Sequence, residues 1–294
     1  MRAETDAKLP AKQMRSRTMT DTNPTLLAGQ VALVLGASRS IGRGIAIELG
    51  AAGAYVIAVS RTTGASEGAR GGSSQETIDM IRDLGGDGEA IACDCADYDA
   101  VGRLIDDIRT RHGRIDILIN SVFLAGEFFP SIGQRIWETS ADLFEQVVTI
   151  PTRAAYAAIR HATPLLADSA KAGRAGLIVN ISGRAGTAYR YNVAYGVGKA
   201  AIERLTRDAA LDLRELGVTI ASIWPNGHAL PGQPPETPRY TGRAIAHLAA
   251  SPDRAALSGQ HRWSAELGAD HGFSDEFGHF HPVPPLIDEY SLER

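Results

Sequence analysis

Short apolar runs, each closing at a glycine or polar residue and each followed by helical periodicity, set the tightest limit on this chain's fold. The first four are VALVLG (31–36), YVIAVS (55–60), EAIACD (89–94) and IDILIN (115–120). GLIVNIS (176–182), VTIASIW (218–224) and a stretch near GQHRWS (259–264) continue the series. Runs this short and this uniformly apolar read as strands buried on both faces, the mark of a parallel sheet. Helical stretches separate them: 41–53, 75–86, 99–113, a long one over 141–166, 193–216, and one near 239–250. Ile78, Ile81 and Leu84 share one face of the second, and Val101, Leu104, Ile105 and Ile108 one face of the third. Strict alternation predicts an α/β fold: a doubly wound parallel sheet of about seven strands, covered by helices on both sides.

With 294 residues, 44% of them hydrophobic, the chain can build one large core or two small ones. No repeat or internal linker divides it, so a single domain over 28–268 is the economical reading. Residues 1–27 are polar, without the apolar centre of a secretory signal, and read as a disordered extension; Met19 is a possible second start, and Glu4 and Asp6 argue against a transit peptide. A lid is expected near 226–240, where residues 227–238 hold four prolines, and a polar, aromatic tail over 269–294. The balance of 30 basic against 34 acidic residues, net −4, offers no footprint for nucleic acid and no polybasic patch for a membrane. Two cysteines, Cys93 and Cys95, are too few and too close for a disulfide framework, which points to a cytoplasmic, reducing setting. They lack companion ligands at metal spacing and read as passive thiols, with no metal site expected.

The first strand runs into GASRSIGRG (36–44). A glycine-rich turn between the first strand and first helix lets backbone N–H groups and the helix N-terminus face a pyrophosphate. Gly36 permits the tight turn, Gly42 allows close approach, and Gly44 helps the helix pack on the strand; Ser38, Arg39, Ser40 and Ile41 complete the turn. An NAD site commonly places a carboxylate at the end of the second strand, where this chain has Ser60 followed by Arg61. The missing acid and the guanidiniums of Arg39 and Arg61 suit a 2′-phosphate, so NADP(H) is the expected cofactor. Asp94, closing the third strand, either accepts from the adenine amino group or caps a turn, with Cys95 beside it.

YGVGK (195–199) opens the helix after the fifth strand, on the edge where open α/β sheets bind ligands. A phenol of ordinary pKa near ~10 is a poor acid–base catalyst at neutral pH, but a neighbouring ammonium stabilises the phenolate. Tyr195 and Lys199, four residues apart, share a helix face.

In this context GASRSIGRG, the CD closing the third strand, ILIN, IVNIS, YGVGK and WPNG, in that order, resemble the short-chain dehydrogenase/reductase family over roughly 28–265. The texture of 192–225 is similar to the branch of dehydrogenase/reductase family member 1 and its bacterial relatives. The resemblance implies a Rossmann fold and hydride transfer between NADP(H) and a small-molecule carbonyl or secondary alcohol. It implies Tyr195 as general acid and base, Lys199 holding the nicotinamide ribose, and Ser182 on the substrate oxygen. Asn120 would order the edge of the fourth strand, and Pro225 to Gly227 would border the nicotinamide. A homodimer or homotetramer joined through the long helix and the next is likewise implied, and the Ala-rich 153–162 permits close helix packing.

The departures are specific. Ser40 stands where the family has a glycine, and NSVF (120–123) where it has Asn-Asn-Ala-Gly. Spacing from Tyr195 places the serine role on Ser182, whereas alignment through NISG places Gly183 there. In the long helix Pro151 replaces the family's asparagine; proline removes an N–H and frees the Val147 carbonyl. It either preserves a kink and an open carbonyl for a water relay, or kinks the helix and impairs the site. Such impairment would leave a non-catalytic NADP(H)-binding sensor or interaction partner. Phe123, Phe128, Phe129 and Trp224 line an apolar pocket or pack in the core. His228 is a pocket or surface residue, and Leu230 falls where a nicotinamide-contacting threonine is usual. The tail DHGFSDEFGHFH (270–281) mixes His and Asp without tidy ligand spacing and reads as a segment reaching over a neighbouring subunit.

Overall fold

The structure is a computed structural model that describes residues 23–64, 71–227 and 234–285. Strands β1 (Val31–Leu35), β2 (Tyr55–Ser60), β3 (Asp87–Ala92), β4 (Ile117–Asn120), β5 (Leu177–Ile181), β6 (Thr219–Trp224) and β7 (His261–Trp263) form one sheet, ordered 3-2-1-4-5-6-7, with every pairing parallel. Helices α1 (Ser40–Ala51), α2 (Ser74–Asp83), α3 (Tyr98–His112), α4 (Ala141–Phe144), α5 (Ile150–Lys171), α6 (Val193–Leu213), α7 (Pro238–Ala250) and α8 (Ser264–His271) occupy the connections.

Strand parity divides the core in two. Ala32, Val34, Ile119, Val179 and Ile223 face a layer built on α1 and α7. Leu33, Leu35, Leu118, Ile178 and Ile220 face α3, α5 and α6. Local signals start and stop the helices where they should. Ser73 and Glu76 make a reciprocal cap on α2, Asp97 caps α3, and Gly113 ends α3 in the left-handed region. Charges buried within the core are structural. Glu48 pairs with Arg239 and Arg243 and ties α1 to α7, while Asp116 accepts from Val31 N–H, Ser169 Oγ and Arg174 Nε at the opposite sheet edge from the glycine turn.

Four expectations change. β3 ends at Ala92, so Asp94 lies in the turn beyond it. The long helix is broken: a π turn over Glu145–Thr149 separates α4 from α5, which runs on to Lys171. Gly44 packs under the start of α7, since a side chain there would enter the Pro238 carbonyl. An unforeseen helix, α8, leads into the tail, which then folds onto its own chain: Phe273 and His281 pack on Tyr240, and Arg243 donates to the Ser274 carbonyl.

Candidate active site

The strand order reverses between β1 and β4, which are parallel neighbours, and their C-terminal ends meet there. A Cβ on Gly36, which has φ +85°, or on Gly42 would strike the Ser121 or Gly36 carbonyl, so this turn tolerates no side chain at either place. Ser40, at the expected glycine position, takes φ +50° and keeps the left-handed backbone without glycine. The α1 N-terminus carries no side-chain cap on Arg39 and no acid in its first turn, which leaves its amide end free for an anion. Arg43 braces the turn, donating to the Ser38 carbonyl and to Glu76. This donor set fits a pyrophosphate. Ser38 and Arg39 are half-buried, Ser40 is exposed, and Ile41 packs against the core.

Along the neighbouring edge, Ser60 Oγ donates to the Thr62 carbonyl and shares a hydrogen bond with Ser74 Oγ, and Arg61 is exposed. Exposed Asp94 accepts from Ala96 N–H, the behaviour of a turn cap. Cys95 is turned inward, its Sγ donating to the Cys93 carbonyl, and the thiol of Cys95 is pushed up by Cys93 and by burial. Any contact of Cys95 with a nucleotide is therefore through its backbone. Pro225 is half-buried, Gly227 is exposed, and the intervening Asn226 N–H donates to the buried Glu236. His228 and Leu230 lie outside the described residues.

Over the ends of β4 and β5, α6 delivers Tyr195 and Lys199. Asn192 caps that helix: its Oδ1 accepts the Tyr195 N–H at 2.9 Å, while its Nδ2 donates to Ser131 Oγ. Asn192 thus locks the loop after β4 to the first turn of α6, and its position three residues before Tyr195 was a cap signal legible in the sequence. Lys199 Nζ donates to the Ile181 carbonyl at 3.3 Å and lies 5.6 Å from the ring centres of both Phe123 and Tyr195. Burial pushes Lys199 down to about 8, partly opposed by Glu203. Burial, with Tyr191 second, pushes the Tyr195 phenol well above its ordinary value. At neutral pH the pair is therefore a phenol beside an ammonium.

Around Tyr195 stand Phe123, Phe128 and Tyr191, with ring centres 4.6 to 6.0 Å away. Phe129 packs on Phe128 and is about half exposed. Trp224 faces elsewhere, stacked on His261 with its Nε1–H given to Glu203. Ser182 is buried and its Oγ has no hydrogen-bond partner among the described residues. A Cβ at Gly183 would lie 3.9 Å from Tyr195 Oη. Asn120 donates to Asn180 Oδ1 at 2.8 Å, and its own Oδ1 is buried and unpartnered. Asn120, Phe123, Val147, Pro151, Gly198 and Lys199 enclose a cavity of about 20 Å³, the size of one water molecule.

The π turn just before Pro151 is the kink that proline imposes, with Ile150 N–H reaching back to the Glu145 carbonyl. The Val147 carbonyl, which Pro151 cannot engage, presses on Gly198, where a side chain would collide with it. In the tail, the buried Asp275 accepts from His279 and His281, and no cluster of three or more metal-ligand side chains occurs among the described residues.

Residues 30–233 match the family model described as short chain dehydrogenase. The chain belongs to the short-chain dehydrogenase family. As a member it is 31% identical over 291 residues to dehydrogenase/reductase SDR family member 1 of Mus musculus, covering 90% of this chain and 88% of that one. A metagenomic short-chain oxidoreductase solved in complex with NADP superposes with TM-score 0.66 at 28% identity, over 81% of this chain and 97% of that one. An NADH-dependent reductase complexed with NAD shares the fold, with TM-score 0.69 at 21% identity, covering 82% and 96%. This short-chain dehydrogenase is thus an oxidoreductase by family and has the family's single-domain Rossmann sheet.

Proposed function

We propose that the protein is an NADP(H)-dependent oxidoreductase interconverting a carbonyl and a secondary alcohol. The observation that carries this reading is Tyr195 and Lys199 on one face of α6, held by Asn192 over the edge where the glycine turn opens. Gly36, Ser38, Ser40, Ile41 and Gly42 would hold the pyrophosphate, and Asp94, the Cys95 backbone, Asn120 and Pro225 to Gly227 would flank the remaining nucleotide. Arg39 and Arg61, with Ser60 in place of an acid, favour a 2′-phosphate. The cofactor, when bound, supplies or accepts the hydride.

Tyr195 Oη gives its proton to the substrate oxygen during reduction and takes it back during oxidation. Ser182 orients that oxygen. The Lys199 ammonium holds charge beside the phenol, and the cavity walled by Asn120, Lys199 and Val147 has room for a water that resupplies the proton. On this view Pro151 keeps the relay open.

The test is oxidation of NADPH by the full chain against a panel of ketones, aldehydes and quinones. Turnover that falls at least ~100-fold in Tyr195→Phe, with cofactor binding retained, is the expected result. A second reading, a non-catalytic NADP(H) binder acting as sensor or partner, is favoured by Ser182 Oγ having no partner among the described residues and by glycine at position 183, beside Tyr195 Oη. Cofactor binding without turnover, unaffected by Tyr195→Phe, selects it. We further propose a cytoplasmic protein; no described helix is long and apolar enough to cross a membrane. Exposed Tyr156, Val197 and Leu211 on α5 and α6 support a homodimer or homotetramer through those helices, which light scattering would test.

A further inference from the structure

The segment 183–192, which joins β5 to α6 and walls the site, carries two guanidiniums and no acid. Arg184 follows Gly183 directly and opens a short 3-10 turn over Arg184–Gly186. Arg190 precedes Tyr191, whose ring centre lies 5.3 Å from that of Tyr195. Neither arginine has an ion pair or side-chain hydrogen bond among the described residues, although most other arginines of the fold are paired. The acids of the facing loop are otherwise engaged: Glu127 accepts from Ser140 Oγ, and Glu138 from Arg135 N–H. Burial first, and the neighbouring Arg190 second, disfavour the charge of the half-buried Arg184, so it is not a freely solvated surface arginine.

A cofactor 2′-phosphate cannot be what they neutralise. Its expected partners follow β2, and β1 and β4 lie between β2 and β5. At ~4.8 Å per strand the two groups are about 14 Å apart across the sheet. Along the chain they adjoin Gly183 and Tyr191, which stand beside Tyr195 together with Phe123 and Phe128, and the Arg190 side chain is exposed. Aromatic faces near two guanidiniums that have no acid partner among the described residues are suited to a molecule with an apolar ring and a carboxylate.

We infer that the substrate is a ring-containing carbonyl compound, or its alcohol, bearing a carboxylate that Arg184 and Arg190 bind together. This rests on the oxidoreductase reading for the reacting end of the molecule, and on the two arginines for the other end. The test uses acetyl-substituted benzoates and naphthoates, each beside its methyl ester. Binding is measured by calorimetry and NADPH turnover by absorbance, in the wild type, Arg184→Gln, Arg190→Gln and the double variant, with melting curves to confirm folding. The expected result is that the acids bind at least ~10-fold tighter than their esters, a preference that added salt erodes and the double variant abolishes while ester binding is unchanged. Equal affinity for acid and ester in the wild type, no binding of either, or a preference that survives the double variant overturns the inference. Preferential binding of the acids without turnover upholds it and counts against the oxidoreductase reading alone.

Discussion

At the scale of single residues, two substitutions probe how far this site departs from a glycine-and-serine design. Ser40 holds φ +50° where an L residue costs ~1–2 kcal/mol. Ser40→Gly removes that cost but adds about 0.5–1 kcal/mol of unfolded-chain entropy. A net gain of ~0.5–1 kcal/mol is expected, read as a small rise in melting temperature, together with tighter NADPH binding as the turn loses a side chain. An unchanged cofactor affinity would show that Ser40 does not crowd the pyrophosphate. Gly183→Ser adds a hydroxyl whose Cβ starts 3.9 Å from Tyr195 Oη. If position 183 is where the substrate oxygen is oriented, turnover rises several-fold or more; if Ser182 already has that role, Ser182→Ala is the damaging change and Gly183→Ser is neutral or harmful.

At the scale of elements, the contact between α6 and the π turn is the most demanding. The Val147 carbonyl, released by Pro151, sits where a Gly198 side chain would be. Gly198→Ala must push α6 away from the turn, at a cost of ~1–3 kcal/mol by overpacking, and shift Lys199 with it. Lower melting temperature and lost turnover are expected together. Pro151→Asn tests the relay: a sharp rise in turnover with an altered pH profile would mean that proline impairs the site, and no change would support a water path that needs only an open carbonyl.

The connector into α7 has its own pH signature. Burial raises Glu236 from 4.5 to about 7, although Ser264 and the Asn226 N–H hold its carboxylate. A raised folded-state value means the stabilisation is complete below about 4.5 and is lost as pH climbs through about 7. The decline is at most ~3 kcal/mol. Glu236→Gln should flatten it, as urea midpoints between acid and neutral pH would record.

For the whole molecule, charge around the nucleotide groove decides which dinucleotide is used. Replacing Arg39 and Arg61 together with alanine should weaken NADPH at least ~10-fold while leaving NADH nearly unchanged, because only the 2′-phosphate distinguishes the two. Equal losses for both cofactors would assign those arginines to the shared pyrophosphate. The C-terminal tail belongs to this scale as well. With Asp275 gathering His279 and His281, and Thr237 Oγ1 donating to Glu276, it braces the start of α7 against the glycine turn, where Gly44 meets Pro238.

Strand count, parallel order, the glycine turn and the Tyr195–Lys199 pair were legible in the residues, because each rests on local periodicity or on spacing within one element. The cap by Asn192 was not read there, although a cap acts over three residues and leaves a signal of the same local kind. What only the tertiary structure decided depends on elements far apart in the chain. It set which way the Val147 carbonyl turns, that Gly44 serves α7, that Trp224 belongs to the β6–β7 edge, and that Arg184 and Arg190 meet no acid among the described residues. Burial and charge compensation are sums over neighbours from many elements, and a linear pattern carries no record of which neighbours those are.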